Sequence, residues 1–146
     1  MFGLMIEISE LYIKIKFEIG ILALGRLGSD EITFGSDLDV IFVYDVEDNS
    51  AVSDGRKSVS ASTYFTRLSQ RSVGAMQALT AEGRLYEIDT RLRPNGESSS
   101  LATSFDGFET YYLEKAWTFE KMALMRSNLV VGSTRLRDKI TQSIHR

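Results

Sequence analysis

Apolar and polar residues first alternate over residues 13–19, where Lys14, Lys16 and Glu18 separate Ile13, Ile15, Phe17 and Ile19. A period of two predicts a β-strand, continuing to Leu24. Gly25 and Gly28 then punctuate the chain. Residues 38–44 read Leu-Asp-Val-Ile-Phe-Val-Tyr, a nearly continuous β-branched and aromatic run that predicts a central, buried strand. Turn-forming clusters at Asp48-Asn49-Ser50 and Ser53-Asp54-Gly55 predict a long loop over residues 47–56. Tyr64, Leu68, Val73, Met76 and Leu79 recur at roughly helical spacing and predict a helix over residues 58–81. Residues 85–93 alternate cleanly. Tyr86, Ile88, Thr90 and Leu92 point one way, and Glu87, Asp89, Arg91 and Arg93 the other, predicting a strand that Pro94 ends. After a loop at Asn95-Gly96 and residues 98–100, Ser104 is an N-cap for a second helix expected to bury Phe105, Phe108, Tyr112, Phe119 and Met122. Leu129-Val130-Val131-Gly132 closes this unit, and a short polar helix is expected over residues 133–146.

Composition narrows the chemistry. The 146 residues are 43% hydrophobic and 25% charged, which suits one globular domain rather than a disordered or fibrous chain. There is no cysteine, so disulfides, zinc-thiolate sites and cysteine nucleophiles are excluded. The one histidine, His145, stands next to the C-terminus, which argues against a Ser-His-Asp triad or a multi-histidine metal site. Any metal would be held by oxygen, favouring magnesium or manganese. The net charge of −3 and the lack of a basic stripe argue against nucleic-acid binding. Glu7 and Glu10 cut the apolar start, and no run reaches the roughly 20 apolar residues of a spanning helix. A cytoplasmic protein without membrane contact is expected.

Asp37 and Asp39 enter the buried strand two residues, or roughly 6.6 Å, apart and project from one edge. Two carboxylates beside an apolar strand are costly unless compensated, and a divalent cation would compensate them. Gly28-Ser29 forms a small-residue turn whose backbone amides are expected to approach phosphate oxygens. The later strand adds Asp89, with Arg91 and Arg93 to meet anionic oxygens. Taken singly, each feature has a plainer reading: a solvated acidic loop, an ordinary turn, a charged sheet face. Their conjunction in this order suits transfer of a nucleotidyl group from a nucleoside triphosphate with two metal ions.

Leu27-Gly28-Ser29 followed by Asp37-Leu38-Asp39-Val40 resembles the signature of polymerase-β-like nucleotidyltransferases. More closely, residues 24–31, Gly35-Ser36-Asp37-Leu38-Asp39-Val40-Ile41-Phe42, residues 85–96 and Ala116-Trp117-Thr118-Phe119-Glu120 through Arg126 resemble the glutamine synthetase adenylyltransferase family. The resemblance covers residues 17–132, leaving residues 1–16 unassigned. It implies an α+β fold, a mixed β-sheet flanked by helices.

By that resemblance Asp37, Asp39 and Asp89 are the metal ligands and catalytic carboxylates, with Asp89 as the base. Gly28, Ser29, Ser36, Arg91 and Arg93 contact or orient the nucleotide, and the two arginines are alternatively structural partners of Glu87, Glu109 or Glu120. ATP is the substrate, with two Mg2+ ions, or Mn2+ in their place. The stretches 86–89 and 116–118 resemble the C-terminal half of the family, which adds AMP to a tyrosine of glutamine synthetase and releases pyrophosphate. The alternatives are phosphorolytic removal of the same AMP, or a non-catalytic remnant that binds nucleotide or glutamine synthetase. Family members also answer to a nitrogen-regulatory signalling protein, and residues 17–132 are expected to lack that response.

Overall fold

The computed structural model describes residues 17–33, 35–48, 50, 52–53, 56–78, 83 and 86–146. The start of the first predicted strand, at Ile13 and Ile15, and Leu79 of the predicted helix lie outside these residues. β2, Leu38–Val46, organises the rest. β1, Phe17–Ala23, runs antiparallel to it from Phe17↔Val46 to Ala23↔Val40. β5, Asn128–Val131, adds to the far edge of β1, also antiparallel. On the other edge of β2 two short parallel strands follow end to end. β3, Ile88–Asp89, lies beside Leu38 and Asp39, and β4, Ala102–Ser104, beside Phe42 to Tyr44. Among the described residues these five strands form one mixed sheet with helices on both faces, an α+β architecture.

The continuous apolar run of β2 is explained by burial on both faces. Val40, Phe42 and Tyr44 face α2, Ala61–Met76, which brings in Phe65. Ile41 and Val43 face α3, Phe105–Glu114, α4, Thr118–Met125, and α5, Thr134–Ile144, with Phe108, Leu124, Leu136 and Ile140. Ser104 caps α3 as expected, its hydroxyl accepting from the Gly107 amide at 3.1 Å. No helix of the described residues is long and apolar enough to cross a membrane.

Two expectations are corrected. The expected second helix is two, α3 and α4, separated by a turn at residues 115–117, and Phe119 and Met122 are 62% and 65% exposed rather than buried. The physical reason is Glu120. Its carboxylate turns inward, accepting from the Tyr111 hydroxyl at 2.9 Å and from the Trp117 amide at 2.7 Å, which rotates Phe119 and Met122 toward solvent. The strand predicted over residues 85–93 shrinks to Ile88–Asp89, with residues 84 and 85 outside the described set. The Asp89 carboxylate accepts from the Arg91 amide at 2.8 Å and the Arg93 amide donates to Thr90, so the chain turns where alternation predicted extension.

The helix over residues 133–146 is polar outside yet buries Leu136 and Ile140. It also resolves a like-charge problem in the sheet. Glu18 and Asp45 are cross-strand neighbours. Arg135 bridges them, at 3.0 Å to Glu18 and 2.9 Å to Asp45, and Lys139 adds a second cation on Asp45 at 2.7 Å.

Candidate active site

The Asp-x-Asp pair stands at the mouth of β2. The Leu38 amide donates to the Glu87 carbonyl at 2.8 Å and the Leu24 amide to the Asp39 carbonyl at 2.9 Å, so both neighbouring segments are stitched to this end of the strand. The parallel register then sets Asp39 beside Asp89. Burial, Asp89 and then Asp37 push the Asp39 carboxyl above its ordinary range, and Arg91 only partly offsets them. Two sequence-predicted carboxylates are therefore adjacent on paired strands, and Asp37 is near enough to add to the repulsion.

Asp89 is held differently. The Arg91 guanidinium clasps it, Nε donating to Oδ1 at 3.0 Å and to Oδ2 at 2.8 Å, and Nη2 closing the ion pair on Oδ2. That clasp holds the Asp89 carboxyl below its usual range. Arg91 thus pairs with Asp89 rather than with Glu87, Glu109 or Glu120. Arg93 is buried, donating to the Thr90 carbonyl at 2.8 Å and to the Ser99 carbonyl at 3.3 Å, while its Nε has no acceptor among the described residues. It braces the loop after β3, and its charge is felt at Asp89.

The three aspartates offer carboxylate oxygen alone, the donor chemistry of Mg2+ or Mn2+. The crowding recorded at Asp39 is what a cation would relieve, so the donor set fits. Among the described residues, however, no three acidic or imidazole side chains form a ready cation cage. The Asp89 oxygens are turned onto Arg91.

The glycine turn differs from expectation. Residues Gly25–Gly28 form one helical turn, α1. The Gly28 amide donates to Leu24 and the Ser29 amide to Gly25, at 3.1 and 3.2 Å, so neither is left over for a phosphate. Gly28 is required by packing: a Cβ there would sit 2.1 Å from the Arg126 carbonyl oxygen and 2.7 Å from that of Ala23. The Ser29 hydroxyl donates to the Gly25 carbonyl at 2.9 Å. Among the described residues Ser36 bonds Thr33 rather than an aspartate. Its hydroxyl is 2.8 Å from that of Thr33, closing the turn before β2.

Two residues that sequence reasoning left without a role stand here. Gly25 has φ +54°, and a Cβ on it would come within 3.3 Å of Asp39 Oδ2, so this glycine lets the turn lie against the carboxylate. Arg126 reaches back from the end of α4, Nη2 donating to Ser29 Oγ at 2.9 Å and pairing with Glu31. Both belong to stretches singled out for their resemblance, but their contacts are not readable from local pattern.

Residues 13–143 match the family described as Glutamate-ammonia ligase adenylyltransferase. The chain is 46% identical over 120 residues to the bifunctional glutamine synthetase adenylyltransferase/adenylyl-removing enzyme of Agrobacterium fabrum, covering 82% of this chain and 12% of that protein. It is 47% identical over 118 residues to the Mesorhizobium japonicum enzyme of the same name, 81% and 12% of the two chains. For the Bartonella henselae enzyme the figures are 41% over 140 residues, 95% and 14%. The chain therefore spans only 12–14% of the length of these relatives.

Proposed function

Since the chain belongs to the glutamate–ammonia ligase adenylyltransferase family, we propose that it carries a nucleotidyl-transfer centre that moves AMP from ATP to a tyrosine of glutamine synthetase. The observation that carries this reading is the in-register pairing of Asp39 with Asp89 at the mouth of β2, beside Asp37 and under the Gly25 turn. The names of the relatives support both adenylylation and adenylyl removal. The stretches at residues 86–89 and 116–118 favour addition.

Asp37, Asp39 and Asp89 would hold divalent cations, which supply charge neutralisation at the α-phosphate and a lower barrier to phenol ionisation. The chain's own residues do the rest. The tyrosine oxygen forms a bond to the α-phosphorus while the bond from that phosphorus to the bridging oxygen of pyrophosphate breaks. A free phenol has a pKa near about 10, so its proton needs an acceptor, and Asp89 takes that part. Asp89 is a poor base while Arg91 clasps it. The phosphates of bound ATP are a competing partner for Arg91, and their arrival frees the carboxylate. Arg93 keeps the loop after β3 in place and adds positive potential.

The test is mass spectrometry of glutamine synthetase incubated with this chain, ATP and Mg2+. One AMP gained on a tyrosine is the expected outcome. Loss of AMP from pre-adenylylated glutamine synthetase with phosphate would instead assign the reverse direction. No change in either arm would leave this chain as a nucleotide- or partner-binding remnant and refute the proposed transfer.

A further inference from the structure

We propose that Arg126 contacts the phosphate tail of bound nucleotide and makes the site selective for a triphosphate over a monophosphate. This rests on the reading of the site as an ATP site and assigns the part of it that the glycine turn does not supply. The amides of Gly28, Ser29 and Glu31 are engaged within the turn, on Leu24, Gly25 and Arg26 respectively. An anion arriving there needs another donor. Arg126 is seated on the turn through its main chain, its carbonyl lying where a Gly28 side chain would be. Its side chain is 55% exposed and uses Nη2 alone, for Ser29 Oγ and Glu31. Nε and Nη1 have no acceptor among the described residues. A guanidinium presents its donors as a rigid fork suited to two oxygens of one phosphate.

Ser29 connects this group to the aspartates. Its hydroxyl bonds the Gly25 carbonyl at 2.9 Å, and Gly25 abuts Asp39 Oδ2. Arg126 thus stands at the outer end of a short path that begins at the carboxylates expected around the α-phosphate. Glu31 is its resting partner, 61% exposed. An exposed ion pair of this kind is weakly held, and a multiply charged phosphate tail displaces it.

The experiment is calorimetric titration of this chain with ATP and, separately, with AMP at fixed Mg2+, for the unsubstituted protein, Arg126→Met, Arg126→Lys and Glu31→Gln. Arg126→Met is expected to weaken ATP about tenfold or more, the loss typical of a hydrogen bond to a charged group, with AMP nearly unaffected. Arg126→Lys should recover part of the loss. Glu31→Gln, which leaves the main-chain contact with Gly28 intact, should tighten ATP relative to AMP. Equal weakening of both nucleotides by Arg126→Met would show that it only props the turn and would overturn the proposal. An ATP-to-AMP ratio unmoved by Glu31→Gln would do the same even if Arg126→Met failed to fold. Absence of binding of either nucleotide by the unsubstituted chain would instead bring down the reading of the site itself, and this inference with it.

Discussion

Asp39 and Asp89, fifty residues apart in the chain, stand side by side in the parallel register of β2 and β3, and among the described residues only Asp89 is ion-paired, with Arg91. Asp89 is clasped by Arg91, while Asp39 is half-buried against two like charges. Four expectations follow from this asymmetry and from the contacts around it.

The first concerns Asp39→Asn. A carboxyl whose folded-state pKa lies above its unfolded value, about 3.9, takes up protons on folding. Its ionisation therefore weakens the fold as pH rises through that interval. Removing the charge should stabilise the metal-free protein at neutral pH by on the order of 1 kcal/mol or less, since the group is partly solvated. The gain should fade as pH falls below about 4, and metal-dependent turnover should be lost. Melting curves from pH 3 to 8 without metal check the sign, and a variant less stable than the parent at neutral pH would contradict it.

Arg91 competes with any cation for Asp89. Arg91→Met should tighten Mn2+ binding in the absence of nucleotide, whereas Asp89→Asn should weaken it. Manganese electron paramagnetic resonance reads both. The Asp89 carboxyl is held low, so its contribution to stability is present at neutral pH and lost as pH falls through the lowered value. Asp89→Asn should accordingly cost stability at pH 7 and nothing in strong acid. Unchanged Mn2+ affinity in Arg91→Met would mean that the clasp does not guard the site.

Gly25 and Gly28 should fail for different reasons. Gly28→Ala drives a Cβ into the carbonyl oxygens of Arg126 and Ala23 and should cost about 1–3 kcal/mol or more, as overpacking against backbone does. Gly25→Ala meets only the Asp39 carboxylate at close range. Its left-handed backbone costs a non-glycine residue about 1–2 kcal/mol, and nucleotide binding should suffer more than stability. Chemical denaturation paired with nucleotide titration separates the two. Equal effects on both quantities in both variants would show that the turn acts as one structural unit.

Asp45→Asn removes a buried carboxylate that ties β2 to Arg135 and Lys139 of α5. The expected cost is about 1 kcal/mol, because Arg135 and Lys139 are partly exposed and keep water as a partner when the charge is removed. Nucleotide affinity should be unchanged, because Asp45 lies at the opposite end of β2 from Asp39. A variant with native melting temperature would show the bridge to be idle.

What the sequence determined by itself was local. The apolar run at residues 40–44 of β2 announced burial on both faces, because a strand covered on both faces has no polar side to show. The Asp37–Asp39 spacing placed two carboxylates at the mouth of that strand, since a period of two is a property of extended backbone. Ser104 announced the start of α3, a cap needing only its own next three residues. Tertiary structure decided the remainder. Asp39 meets Asp89 through a parallel register between segments fifty residues apart, which no local pattern specifies. The alternation through Arg93 promised a longer strand, but Asp89 bonding the Arg91 amide turned the chain instead. Phe119 and Met122 were at helical spacing for a core, yet burying Glu120 on Tyr111 rotated them outward. The amides of Gly28 and Ser29 were expected at a phosphate and are bound within their own turn. Arg126 came to that turn from nearly one hundred residues downstream. Where the partners are distant, as for Asp39 with Asp89 and Arg126 with Ser29, periodicity had no access to them; where they are near, as for Asp89 with the Arg91 amide, a side-chain bond to the backbone overrode the alternation.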